Sequence, residues 1–315
     1  MSHQPIMLDE IVQYLNIKPS GIYCDATGGR GGHTEAIVKQ CVSGKVIVFD
    51  VDIDAIEAMK HRLKNYQDRI IFVHDSYAKI KDYCKQFNIS YLDGFVFDLG
   101  VSSPQFDDAH RGFSYRFDAK LDMRMNQSQS LSAYHVVNEY DVKSLTKVLR
   151  DYGEEPYAYA IAKKIVKARL ENPVETTFQL VDIIKSALPA QVLRQKGHPA
   201  KQSFQAIRIE VNNELGALST ALWDATDLLT VKGRGCVLSF HSLEDRIVKE
   251  CFKQLTSMPK TNRRLPQQET ILNFKSLTKK PQLASSTELQ LNPRAQSAKL
   301  RVIQRERRHS DGQED

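Results

Sequence analysis

Residues 21–54 read GIYCDATGGRGGHTEAIVKQCVSGKVIVFDVDID. The stretch breaks into strand, loop, helix, strand and acid. A short apolar strand at 22–26 runs into a loop that carries Gly28, Gly29, Gly31 and Gly32, with His33 at its end. A helix is expected from about Thr34 to Gln40, then a second apolar strand at 46–49 that stops on Asp50. That is one βαβ unit, the repeat of an open parallel sheet whose ligands sit beyond the carboxyl ends of the strands. Loop glycines let the backbone take positive φ and come close to a ligand. An acid about 20 residues past such a loop suits the two hydroxyls of a ribose.

The spacing of the glycines narrows the ligand. A dinucleotide fingerprint needs G-x-G-x-x-G. Counted from Gly29, the second glycine is Gly31 but the third place is Thr34; counted from Gly28, the second place is Arg30. A nicotinamide-dinucleotide enzyme is therefore excluded. The grouping of the glycines with a ribose acid at Asp50 fits S-adenosylmethionine better, since that cofactor has no pyrophosphate to wrap. The acids Asp50, Asp52 and Asp54 also imitate a calcium loop, but Ala55 stands where that loop needs glycine and His61 where it needs an acid.

The whole chain bounds the reading further. Its 315 residues hold one large domain or two ordinary ones, and 41% hydrophobic residues permit a full core. A formal charge of +6 favours an anionic partner. Cys24, Cys41, Cys84, Cys236 and Cys251 are scattered, with no C-x-x-C pair, as in a reduced cytoplasmic protein without structural zinc. The first residues have neither a basic flank nor a long apolar run, so no secretory signal and no membrane partner are expected.

Outward from the opening unit, a lead-in helix is expected at 7–17, a helix at 53–63, a strand at 70–73, a helix at 78–87, a turn at Asp93-Gly94 and a strand at 95–97 that ends on Asp98. Tyr77, just past the third strand, can lie on an adenine face. The loop after Asp98 contains Ser102, Ser103, Pro104, Gln105 and Phe106. It resembles the Ser-Pro-Pro-aromatic loop of amino-group DNA methyltransferases, with Gln105 in place of the second proline. From 107 to 202 the α/β rhythm stops and helical periodicity takes over, with helices expected at 132–140, 142–152, 154–170 and 177–188. Thr176 and Gln179 have capping-box spacing. A single long helix at 205–229, a strand at 235–240, a helix at 243–255 capped by Ser242 with Asp245, a short strand at 271–277 and a last antiparallel strand at 300–304 return the chain to the sheet; otherwise 256–293 reads as loop.

Several motifs now stand together: Thr27, Gly29 and Gly31-Gly32-His33; DLGVSSPQ at 98–105; RGFS at 111–114; LDMRM at 121–125; YGEE at 152–155; FQAIRI at 204–209; FHSLEDR at 240–246; NPRA at 292–295. The set closely resembles the bacterial RsmH family, also called MraW, over nearly the whole chain. The resemblance implies an α/β class I, Rossmann-like methyltransferase sheet with an all-helical insertion domain after the fourth strand. Its parts are expected at 1–106 and 203–305 for the sheet domain, 107–202 for the insertion and 306–315 for a charged tail. It implies an S-adenosylmethionine-dependent enzyme that methylates N4 of a cytosine in the decoding centre of small-subunit (16S) ribosomal RNA, with the subunit RNA, assembled or nearly so, as partner. Carried over by the motifs, the cofactor contacts are Gly31, Gly32, His33, Asp50, Tyr77, Asp98 and Gln105. Asp98, Ser102 and Ser103 are the catalytic candidates, and Phe106, Phe113, Tyr115, Lys201 and Phe240 the candidates for contact with the RNA. Two places depart from the family: Lys201-Gln202-Ser203 stands for Thr-Arg-Thr, and Gln296 for an arginine.

Rival chemistries fare worse on the residues. Carbon-5 methylation needs a cysteine nucleophile, and the loop after Asp98 has none; Cys236 is expected at the start of strand five, away from the crevice. A serine hydrolase would need a G-x-S-x-G elbow. A non-catalytic RNA-binding or assembly factor on a methyltransferase scaffold is the alternative from another class, and the intact glycine loop, Asp50 and Asp98 argue against it.

Overall fold

The computed structural model describes residues 5–258 and 272–308. The chain opens with α1 (Leu8–Leu15), β1 (Ile22–Asp25), α2 (Gly32–Gln40), β2 (Lys45–Asp50), α3 (Ile53–Arg62), β3 (Ile70–His74), α4 (Ile80–Gln86) and β4 (Leu92–Asp98). A helical run follows: α5 (Ser103–Asp107), α6 (Ala133–Glu139), α7 (Val142–Gly153), α8 (Ala158–Arg169), α9 (Thr177–Ala187), α10 (Ala190–Leu193) and α11 (Lys201–Asn212). Then come α12 (Glu214–Leu228), β5 (Leu229–Ser239), α13 (Ser242–Thr256), β6 (Phe274–Ser276), β7 (Gln282–Leu283), α14 (Ser286–Leu291) and β8 (Lys299–Arg305). Two compact units result, dividing at Gly100/Val101 and at Glu214/Leu215.

The first unit is one sheet in the order β3-β2-β1-β4-β5-β8-β6, with β7 also on β8. β1 to β5 run parallel, and β8 returns antiparallel against β5. The strands are apolar almost throughout because both faces are covered, as parallel sheets require. Alternate residues point to opposite sides. Ile47 and Phe49 join Phe95, Phe97 and Val237 in one core, against Ile80 of α4, Leu222 of α12 and Phe252 of α13. Val46 and Val48 join Val96, Leu238 and Val302 in the other, against Ile11 of α1, Ile37 of α2 and Met59 of α3. Gly235 pairs with Phe95 across β4 and β5. A Cβ on it would fall 2.0 Å from the Phe95 ring. Gly235→Ala is therefore expected to cost about 1–3 kcal/mol through overpacking, read as a lower urea midpoint at unchanged slope.

The second unit is helical around its own core. Met123, Val136, Leu145, Leu149, Ile161, Ile165, Leu180, Phe204 and Ile207 are all buried there. The capping box of Thr176 and Gln179 opens α9 as expected. No helix among the described residues is long and apolar enough to cross a membrane.

Several local expectations give way to packing. Asp93-Gly94 lies inside β4 and is no turn, because the Asp93 carboxylate accepts from the Ile22 N–H (2.9 Å) and from Lys18 Nζ (2.8 Å). The single helix expected at 205–229 is two helices, broken at Asn213, which takes the left-handed conformation at φ 48°. Phe204, Ile207 and Val211 of α11 pack into the helical core. The chain thus leaves the helical unit at 214/215, later than the expected 202/203, and enters it at 100/101, earlier than 106/107. The side chain that caps α13 is His241, paired with Glu244, and not Ser242 with Asp245. β5 begins at Leu229, so Cys236 is well inside the strand rather than at its start. α14 occupies part of a stretch read as loop. Of the strand expected at 271–277, residues 274–276 form β6, while Ile271 lies outside the described residues. Glu306 pairs with Lys232 and its N–H donates to Asn273 O (2.7 Å), so the expected tail starts later than 306; its end, 309–315, lies outside the described residues.

Candidate functional site

The strand order reverses between β1 and β4, and crevices at such switch points are where open α/β sheets bind ligands. β1, β2 and β4 each end on an aspartate: Asp25, Asp50 and Asp98. The glycine loop rises from β1. Gly28 is fixed by packing, since a Cβ there would lie 2.5 Å from Met59 Sδ. Gly29 differs: it sits at φ +52° with nothing closer than 3.9 Å to its Cβ position. Its N–H donates to Asp50 Oδ2 at 2.8 Å. The Asp52 N–H donates to the other oxygen at 2.9 Å. Asp50 thus braces loop and strand end while each oxygen keeps a lone pair. Burial pushes its carboxyl up to about 6, against the pull of those two N–H groups.

Asp98 is held beside the loop by its own N–H, which donates to Thr27 Oγ1 at 2.6 Å. Its carboxylate lies 3.6 Å from Nδ1 of His33, on the first turn of α2. The other ring nitrogen of His33, Nε2, is 3.1 Å from the Ile6 carbonyl. A carbonyl only accepts, so Nε2 carries a proton. Burial pushes Asp98 up to about 6; His33 works against the rise, while Asp25 and Glu244 add to it. Solvent still reaches 28% of the Asp98 side chain.

Asp25 is fully buried, accepts from Thr34 Oγ1 (2.6 Å) and the Thr27 N–H (3.2 Å), and is raised by burial with His33 opposing. Glu244, on the first turn of α13, is buried and accepts from the Phe240 N–H at 2.7 Å. Among the described residues no lysine or arginine forms an ion pair with Asp25, Asp50 or Asp98. The end of the sheet is therefore an acidic recess with two imidazoles, His33 beside Asp98 and His241 beside Glu244. It suits a cation and repels a pyrophosphate. Tyr77 is half-buried, its ring edge-on to Phe97 at 5.4 Å.

The first unit therefore brings Gly31, Gly32, His33, Asp50, Tyr77 and Asp98 to the strand ends. Phe240 follows β5, half-buried against the core beneath α1 and α2. The remaining sequence candidates belong to the second unit. The Gln105 side chain is turned onto its own loop, its Oε1 accepting from the Ser102 N–H at 3.0 Å. Ser103 begins α5. Phe106 and Tyr115 are half-buried against the helical core, and Lys201, first in α11, is exposed. Phe113 is 4% exposed and belongs to that core, packed under Arg111, so it makes no wall for a base. Asp25, Thr27 and Glu244 were given no site role from the sequence, although Thr27 and Glu244 stand in the motifs. An acid closing an apolar strand was the available signal for Asp25, the same signal that marks Asp50 and Asp98.

The family model described as the MraW methylase family matches residues 1–306. A protein named ribosomal RNA small subunit methyltransferase H from Exiguobacterium sibiricum is 47% identical over 305 residues, covering 96% of this chain and 98% of that one. Proteins of the same name from Clostridioides difficile and Limosilactobacillus fermentum are 47% and 48% identical, over 96% of this chain and 98% of theirs.

Proposed function

The chain belongs to the MraW methylase family, and on that premise we propose that it methylates N4 of a cytosine in the decoding centre of small-subunit ribosomal RNA. The observation that carries this reading is the acidic recess: Asp25, Glu244 and His33 around Asp98, with Asp50 at the end of β2. S-adenosylmethionine, the family's cofactor, bears an ammonium and a sulfonium and supplies an electrophilic methyl group. The donor set fits it. Asp50 has a lone pair on each oxygen for the ribose hydroxyls, Asp98 offers a carboxylate to the ammonium, and Tyr77 offers a ring to the adenine. Gly31, Gly32 and His33 line the loop side, and Gln105 is assigned to the cofactor by the family motif.

The chain's task on the target side is placement. The amine lone pair of cytosine is delocalised into the ring, so the base must be held with that lone pair aimed at the methyl. The base has to leave its stack to be held so. Ser102 and Ser103 are assigned to the amine, Phe106, Tyr115 and Phe240 to the base, and Lys201 to a phosphate. Direct transfer needs no protein nucleophile. Cys24, one residue from the end of β1, and Cys236, inside β5, are both fully buried, and burial pushes each thiol far above the usual range. The ribosomal substrate places the reaction in the cytoplasm.

The test is to incubate the protein with labelled cofactor and small subunits lacking the mark, then map the product. One methyl on a cytosine N4 is expected. A methyl on carbon 5 or on protein would overturn the chemistry, and RNA binding without transfer would leave the assembly-factor reading.

A further inference from the structure

The helical unit carries an aromatic and basic surface that extends well past Tyr115 and Lys201, the two of its residues already given a role. Tyr115 and His198 stack face to face, centroids 4.1 Å apart at 10°, and Phe204 meets Tyr115 edge-on at 5.7 Å. The next residues, Arg116 and Phe117, are exposed; Phe117 keeps 48% of its surface in water. The same segment is stitched to the start of α9. The Phe117 carbonyl accepts from Thr177 Oγ1 (2.7 Å), and the Ala119 N–H donates to that hydroxyl (3.0 Å). Phe178, the adjoining residue, is 44% exposed. Two large apolar rings thus emerge from one joint, where burial would have been the ordinary fate of a phenylalanine.

Cations surround them. Lys185 lies two turns along α9 from Phe178. It and Arg116 both lower His198, after burial itself, so positive potential converges on the stacked imidazole. Among the described residues, the side chains of Arg116, Lys120, Arg194, Lys196 and Lys201 have no hydrogen-bond or ion-pair partner. Residues 188–202 contain no acid. The acids nearby are few: Asp118 accepts from the Phe178 N–H, Asp182 is 3.9 Å from Lys185, and Glu175 flanks the joint. Rings interleaved with unpaired cations make a platform for unstacked bases and their phosphates. Protein-binding patches, in contrast, are depleted in lysine.

We infer that this face binds single-stranded RNA, with Phe117 and Phe178 against bases and Arg116, Lys185 and Lys201 on phosphates. The inference rests on the ribosomal RNA reading and names where on the helical unit the strand is held. It is tested by anisotropy with a short labelled single-stranded RNA, using the full chain and two double variants. Phe117→Leu with Phe178→Leu keeps apolar bulk but removes both ring faces; affinity is expected to fall at least tenfold, given about 1–3 kcal/mol per stacked base. Arg116→Gln with Lys185→Gln is expected to flatten log K against log salt by about 1.4, or about 0.7 for each phosphate lost on a single strand. Melting temperature and S-adenosylmethionine affinity should stay at wild-type values in both, which separates lost contacts from lost folding. Unchanged RNA affinity and salt slope in both variants would overturn the inference, as would a protein ligand that binds the leucine variant as well as wild type. A wild type that binds RNA through this face yet transfers no methyl would sink the function and leave the surface standing.

Discussion

Asp50→Ala is expected to weaken S-adenosylmethionine binding by about a hundredfold or more. The carboxylate accepts from Gly29 and Asp52 through one lone pair on each oxygen, and the remaining pairs are the acceptors proposed for the ribose diol. Hydrogen bonds to a charged group contribute about 1.5–3 kcal/mol each, so losing two costs about 3–6 kcal/mol, or two to four powers of ten. The loop loses its brace at the same time, since the Gly29 N–H donates to Asp50 Oδ2. Asp50→Asn keeps one acceptor oxygen and is expected to fall between alanine and wild type. Calorimetric titration measures both. In turnover, the alanine variant should show a raised cofactor KM with kcat partly recovered at saturation, the signature of lost ground-state binding. An affinity equal to wild type would remove the β2 acid from the cofactor site.

The parts of this architecture that were legible in the sequence are those whose physics is local. The βαβ unit declares itself because strand, glycine loop and helix each follow from short-range rules, and the resemblance extended it along the chain. Asp50 and Asp98 could be found because each ends a run of β-branched and aromatic residues. Asp25 ends such a run too, but its role depends on Thr34 and His33 folding back over it, which spacing does not reveal. Asn213 has the composition of a helix interior; what breaks the helix is the pull of two separate cores, with Ile207 and Val211 in one and Leu218 and Leu222 in the other. Asp93-Gly94 has the composition of a turn, yet Lys18 and Ile22 supply partners from far away that make it strand. His241 is an uncommon cap, and it works because Glu244 returns a carboxylate to the Phe240 and His241 N–H groups.

Asp98→Asn is expected to separate stability from function. In the fold, burial raises this carboxyl from 3.8 to about 6. A carboxyl raised on folding favours the fold in its neutral form. Its contribution is present below the unfolded value, fades as pH rises toward the folded value, and above that the ionised group works against the fold. The full span would be about 3 kcal/mol at 1.36 kcal/mol per unit. Water reaches 28% of the side chain and screens part of it, which leaves about 1–2 kcal/mol. Asparagine removes the titration, so the variant without cofactor should be more stable than wild type at pH 7.5 and gain nothing at pH 4. Urea unfolding at the two pH values measures this. Cofactor binding should move the other way. An ammonium needs the ionised carboxylate, so at pH 7.5 the variant should bind S-adenosylmethionine about ten- to a hundredfold more weakly. Below about pH 6 wild-type affinity should fall with pH as both Asp98 and Asp50, each near 6, take up protons. The variant should retain only the Asp50 part, a slope shallower by about one proton. His33, Asp25 and Glu244 face Asp98 in both proteins, so their influence is common to the pair. A variant less stable than wild type at pH 7.5, or one with the wild-type pH slope, would show that Asp98 does not meet the cofactor as a carboxylate.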